Sequence, residues 1–248
     1  MGGMLRAAIA TITFAILLGT ALHAQPAGPI VILAPHPDDE TLGAGGLIAT
    51  RAGEGRRVVV VVVTDGRALL RRFGIDANPS EVEVAAMRKD ETRRSVNILT
   101  HGKGEIVFMD IPNESLVAQR DVATQRMTTL LAELRPAELY VTSPFESHAE
   151  HVATNEIART ACAASRACGA VFEFIVTLKS GTDLSQLPRR QTSVDVSAHR
   201  ELEHLALQQF RSHLDVISPK LPTPFEQHQY ERYLTPLEPF LIDETRPR

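Results

Sequence analysis

Cysteine occurs only twice in the 248 residues, at positions 162 and 168, and tryptophan is absent. Two cysteines cannot supply a second pair in metal-ligand spacing, so a structural zinc site built on thiolates is not expected. Neither sign of charge dominates: 26 Lys and Arg stand against 30 Asp and Glu, a formal charge of −4. That balance gives no electrostatic footing for nucleic acid. No Gly-x-Gly-x-x-Gly follows the first internal apolar run, because Leu42-Gly43-Ala44-Gly45-Gly46 falls inside a helical stretch, which argues against a dinucleotide site. Internal repeats, low-complexity tracts and a dividing linker are missing too. With 44% hydrophobic and 23% charged residues, the composition is that of a globular protein.

The apolar stretch from Ala7 to about Leu22 follows a short segment with one positive charge, Arg6. It is short, and rich in Thr and Gly, for a membrane span, with an uncleaved anchor as the alternative. With Ala21-Leu22-His23-Ala24 behind it, it reads as an export signal cleaved after Ala24. Residues 1–24 are therefore expected to be a signal peptide and residues 25–248 a single domain, periplasmic or extracellular in a bacterium. No Cys near the cleavage site offers a lipid attachment point. In an oxidising compartment Cys162 and Cys168 would form a small local disulfide; two adjacent buried thiols are the alternative.

Beyond the leader, strand-like and helix-like segments alternate. Ile30–Ala34 is apolar and bounded by prolines, and Val58–Val63 is an unbroken valine run, the mark of a central parallel strand buried on both faces. Ser80, with Glu83 three residues later, forms a capping box for a helix from about Glu81 to Leu99. Further strands are expected at Ile106–Met109, Leu139–Thr142 and Val171–Leu178. Helices are expected at Leu42–Ala52, Val122–Leu134, through about Cys162, and from His199 to His213. Residues 67–80 read as an irregular loop, and the proline-punctuated stretch from Ser218 as an extended wrap. The alternation predicts βαβ units, an α/β fold with a mostly parallel central sheet.

The chemistry is concentrated where the first strand ends. Pro35 breaks the strand, and His36, Asp38, Asp39 and Glu40 crowd into the following five residues. Acids at a helix N-terminus are favoured by the macrodipole, but that explains the carboxylates and not the His-Pro before them. Ser147-His148-Ala149-Glu150-His151 follows the Leu139–Thr142 strand and so reaches the same sheet edge. His36, Asp39 and His151 supply two imidazoles and one carboxylate, a donor set for one catalytic zinc with a position left for water. Asp38 is then free to act as general base. A protonated His148 would stabilise the oxyanion, and Glu150 would hold that imidazole in its tautomer and keep it charged. His101, His199, His204, His213 and His228 are expected to be solvated surface histidines.

His36-Pro37-Asp38-Asp39-Glu40, the later His148-x-x-His151 and the strand order resemble the PIG-L/LmbE-like de-N-acetylases, from about Ile30 to about Asp215. The resemblance implies a Rossmann-like three-layer fold, one Zn2+ per chain, and removal of the acetyl group from N-acetylglucosamine-type conjugates. It implies the same site roles, and adds Arg88 and Asn113 as substrate-binding residues. Asn113 stands where the family carries an Asp, and Ser212-His213 where it carries Ser-Gln. The expected function is that of a secreted zinc-dependent amidohydrolase acting on a small N-acyl amino sugar or glycoconjugate, without nucleic acid and without a membrane beyond the cleaved leader. A metal-containing carbohydrate-binding module without turnover, or a metal-dependent esterase, is the alternative. The first would lack a use for Asp38.

Overall fold

Strand β1 (Ile30–Ala34) lies in the middle of a seven-stranded sheet of order β3-β2-β1-β4-β5-β7-β6. The computed structural model describes residues 28–75, 78–178, 182–220 and 233–243, and the expected export signal lies outside them. The other strands are β2 (Val58–Thr64), β3 (Glu105–Ile111), β4 (Glu138–Thr142), β5 (Ala170–Phe174), β6 (Arg190–Asp195) and β7 (Leu237–Ile242). The first five pair in parallel, and β7 runs antiparallel to both β5 and β6. The fold is the expected Rossmann-like three-layer arrangement. Helices are α1 (Asp39–Gly53), the short α2 (Leu69–Arg72), α3 (Glu81–Leu99), α4 (Arg120–Leu134), α5 (Ala149–Ser165) and α6 (Arg200–Leu207).

The valine run explains the layering. Successive side chains of a strand point to opposite faces, and the β2 residues divide accordingly. Val59, Val61 and Val63 join Val31 and Leu33 in the core under α4 and α5. Val58, Val60 and Val62 join Ile30 and Ile32 in the core under α1, α3 and α6. Both faces are covered, so no polar residue is tolerated at either, and the strand reads as a continuous apolar run.

Four sequence expectations change. The stretch 67–80, expected as an irregular loop, holds the short α2. The stretch from Val171 ends as a strand at Phe174 rather than Leu178. The last helix stops at Leu207, and a separate π-helical turn over Ser212–Ile217 follows. The expected wrap contains β7, and β6 was not anticipated at all: its alternating exposed and half-buried residues leave no apolar signature. Cys162 and Cys168 are disulfide-bonded across the turn between α5 and β5.

α1 bends at Ala44, where the backbone leaves helical geometry. Its glycines lie where the helix presses on its neighbours: a Cβ on Gly43 would overlap the Phe174 ring, and one on Gly46 would lie 2.5 Å from Val196 Cβ. Beyond the bend, the Glu238 carboxylate of β7 accepts from the backbone N–H groups of Gly46 (2.7 Å) and Leu47 (2.8 Å). It caps the second half of the helix from outside. Glu203 of α6 is fully buried nearby. Burial, and then the Glu238 charge, push Glu203 up to about 8, and burial pushes Glu238 up to about 7.

A carboxyl raised in the folded state binds more protons there than in the unfolded chain, so stability falls as pH rises through the interval between the two values. We expect the folded protein to lose stability from about pH 5 to pH 8. Glu203→Gln, which removes the titrating group, should flatten that slope in urea titrations. An unchanged slope would show that Glu203 does not titrate there.

Candidate active site

Chain order reverses around β1, with β2 on one side and β4 on the other. Outside the carboxyl ends of the strands at such a switch point lies the crevice where ligands bind in open α/β sheets. Both motif clusters arrive there: His36 two residues after β1, and His148 and His151 at the start of α5 just beyond β4. They face a cavity of about 290 Å³, together with Arg72, Arg88, Asn113 and His213.

The structure brings His36, Asp39 and His151 into a tight triangle. Asp39 Oδ2 lies 3.0 Å from His36 Nδ1 and 3.1 Å from His151 Nε2, and the two nitrogens lie 3.2 Å apart. Donors held tetrahedrally at about 2.0–2.1 Å from zinc stand roughly 3.3 Å apart, so the triangle is close to one face of such a site. His36, His148 and His151 also offer nitrogens within 4.8 Å of one another, a looser alternative set. The Asp39 triangle fits an ion better, because one nitrogen of His148 is already engaged: its Nδ1 accepts from the Glu150 backbone N–H at 3.2 Å, as the N-cap of α5.

Each imidazole of the triangle has a carboxylate behind it. His36 Nε2 lies 2.9 Å from Glu150 Oε2, and His151 Nδ1 lies 3.3 Å from Glu146 Oε2. Carboxylates in these places fix the tautomer and raise the basicity of a ligating imidazole. Burial lowers the His151 imidazole, but Asp39 and Glu146 outweigh it and raise it to about 10. Burial likewise pushes Asp39 up, yet His151 and His36 hold it well below the usual carboxylate range. The negative field at this spot calls for positive charge, which a divalent ion supplies.

Glu150 differs from its expected place. Its carboxylate contacts His36 Nε2, Asn113 Nδ2 (2.5 Å) and the Leu116 N–H (3.1 Å), and only its backbone N–H reaches His148. From the first turn of α5 the side chain swings toward the segment after β3, where donors await it. His148 differs too. Burial, then the neighbouring His36, His151 and Arg72, push it down to about 3, so a protonated imidazole is not its resting form. With Nδ1 accepting, the ring proton resides on Nε2, which faces Arg72.

Asp38 adopts φ 110°, a left-handed conformation uncommon for a non-glycine residue and often held in place at functional sites. Its carboxylate pairs with Arg88 Nη2 at 2.9 Å. Burial raises it to about 7, against the lowering effect of Arg88. Arg88 also donates to the Pro37 carbonyl, and is almost wholly buried. Arg88 and Glu91 share a face of α3 but turn to different partners. Glu91 accepts from the Ser212 backbone N–H (2.6 Å) and hydroxyl (2.8 Å).

That anchor holds the π-helical turn against α3 and brings His213 to the cavity, 4.0 Å from Asp38 Oδ2. His213 is thus not the solvated histidine expected from sequence. Its one signal was its place after Ser212, where the family carries Gln. Glu146 was also missed. It is buried, and besides His151 it binds the Val176 and Thr177 N–H groups.

A model of the family described as GlcNAc-PI de-N-acetylase, PIG-L, matches residues 31–162, more than half of the chain. The chain belongs to this family. Among curated relatives, the diacetylchitobiose deacetylase of Thermococcus kodakarensis is 31% identical over 125 residues, covering 49% of this chain and 44% of that protein. The chain therefore spans under half the length of that relative. Among solved structures, the N,N'-diacetylchitobiose deacetylase of Pyrococcus horikoshii superposes with a TM-score of 0.67 at 21% identity, over 87% of this chain and 84% of that one. GalB, a 4-carboxy-2-hydroxymuconate hydratase from Pseudomonas putida, gives 0.68 at 17% identity, over 89% and 97%. These likenesses establish the fold, which the PIG-L family shares with at least one hydratase.

Glu146→Gln keeps the shape behind His151 but removes the charge. Metal affinity should fall by roughly 10- to 100-fold, read by competition with a chromogenic chelator. Affinity equal to wild type would mean that Glu146 does not tune this imidazole.

Proposed function

We propose that this PIG-L family member is a zinc-dependent amidohydrolase that removes the acetyl group from an N-acetylated amino sugar or a related conjugate. The observation that carries the reading is the His36, Asp39 and His151 triangle with Asp38 in the same cavity wall, paired to Arg88. The substrates named in the family's description and in that of the Thermococcus relative, GlcNAc-PI and diacetylchitobiose, support the substrate class. When bound, zinc supplies a Lewis acid for the acyl carbonyl and lowers the pKa of water.

The protein's own groups do the rest. Asp38, raised to about 7, is poised near neutrality as a general base, taking the proton of the attacking water and returning it to the departing amine. Arg88 keeps its carboxylate oriented. The neutral His148 donates from Nε2 to the carbonyl oxygen as that oxygen gains charge. Asn113 is committed to Glu150 through its side chain, so in this chain it acts on substrate by shaping the cavity beside His36.

Export completes the reading. The leader over residues 1–24 is cleaved after Ala24, and the Cys162–Cys168 disulfide is consistent with an oxidising compartment. Intact-mass measurement on protein from the native host should show loss of about 24 residues; a full-length cytosolic product would overturn the export reading.

Acetate release from a panel of N-acetylated sugars should appear with stoichiometric zinc and vanish with chelator. His36→Ala and Asp39→Ala should each lose metal and activity together. Asp38→Asn, nearly isosteric, should keep the metal and lose roughly a hundredfold or more in kcat. Stoichiometric metal in both alanine variants, or an Asp38→Asn enzyme as fast as wild type, would refute the assignment.

A further inference from the structure

The segment after β2 carries four arginines, Arg67, Arg71, Arg72 and, further on, Arg88, and all but one have carboxylates. Arg67 pairs with Asp65, Arg71 with Glu81 and Glu114, and Arg88 with Asp38. Arg72, the last residue of α2, has no carboxylate partner among the described residues. It is exposed, and its Nη1 meets His148 Nε2 at the wall of the cavity.

That meeting is unusual chemically. His148 Nδ1 accepts from the Glu150 N–H, so Nε2 carries the ring proton and is a donor. A guanidinium has donors only. Two donors converging on one point are satisfied together by an oxygen bearing negative charge. The point lies beside the metal triangle: the His148 ring is centred 4.7 Å from that of His36 and 4.8 Å from that of His151.

Resting on the reading above, we propose that Arg72 is a further catalytic residue, the charged half of an oxyanion pocket whose other half is His148. As water adds to the acyl carbon, the carbonyl π pair moves onto oxygen, and Arg72 and His148 both donate to that oxygen. When the C–N bond breaks, the pair returns to form the acetate carboxyl, and the proton held by Asp38 goes to the amine nitrogen. No oxidant or further reactant is needed. The charge comes from the Arg72 guanidinium, and His148 supplies direction.

The test uses the zinc-loaded full chain, Arg72→Ala and Arg72→Lys, and methylphosphonate as probe, because its tetrahedral oxygens imitate the hydrated acyl group. Calorimetry should show methylphosphonate binding weakened roughly 10- to 100-fold in Arg72→Ala, the loss expected for a hydrogen bond to a charged group. Arg72→Lys should recover part of it, and zinc content should stay at one per chain in both. With an N-acetylated sugar, kcat should fall roughly 100-fold or more in Arg72→Ala, while KM moves by less than about threefold, because the contact forms with the charge that develops in the transition state.

Methylphosphonate bound equally by wild type and Arg72→Ala would overturn the proposal, as would a raised KM with unchanged kcat, which marks ordinary substrate binding. If wild type binds methylphosphonate through Arg72 yet releases no acetate from any sugar, the pocket stands and the deacetylase reading falls. If Arg72→Ala deacetylates at the wild-type rate, the reading stands and the pocket falls.

Discussion

The pairing of β1 with β4 is the constraint on which the rest depends. Their register, Ile30 opposite Glu138 through Leu33 opposite Val141, aligns the ends of two strands more than a hundred residues apart. His36 and His151 therefore emerge side by side, and the carboxylate of Asp39 closes the triangle from the first turn of α1. Neither histidine owes its position to local sequence. The two cores that clamp β1 and β2 on both faces give the edge its rigidity, and interiors packed at crystal-like density transmit displacement rather than absorb it. A site whose donor atoms stand 3.0–3.2 Å apart needs that rigidity.

Around the triangle, charges are arranged in two shells of opposite character. Glu150 and Glu146 place negative charge behind the two imidazoles. Arg72 and Arg88 supply positive charge on the cavity side. Positive charge thus lines the cavity while the two imidazoles keep anionic groups behind them. This polarity also explains His148. Set against Arg72, His36 and His151 at the N-terminus of α5, it is a poor place for another proton.

Sequence made the parallel part of this arrangement legible because its signals are strong and local. The Val58–Thr64 run and the Ser80–Glu83 capping box each occur within a few residues, and the structure shows both. The elements missed depend on distant partners. β7 pairs antiparallel with β5 on one side and β6 on the other, near prolines, and the polar Arg190–Asp195 carries no apolar pattern to reveal a strand. Among site residues, His36, Asp38, Asp39 and His151 stand in recognisable motifs. Glu146, Arg72 and His213 are placed by a turn, a four-residue helix and a π-helical turn, and their chemistry appears only once those are folded against the sheet.

The Arg-x-x-Glu of α3 shows how far placement can outrun pattern. Spaced three apart, Arg88 and Glu91 suggest a helix-surface ion pair worth a few tenths of a kcal/mol. Burial makes that reading untenable, because a buried charge left to a weak partner costs several kcal/mol. Each instead has a specific anchor: Arg88 the Asp38 carboxylate and the Pro37 carbonyl, Glu91 the backbone and hydroxyl of Ser212. One helix thereby fixes both sides of Asp38. Arg88 holds the strained turn at Asp38 from within the first motif, and Glu91 holds the segment that brings His213 to 4.0 Å from the same carboxylate. The left-handed φ at Asp38 is sustained because its surroundings determine it from two directions at once.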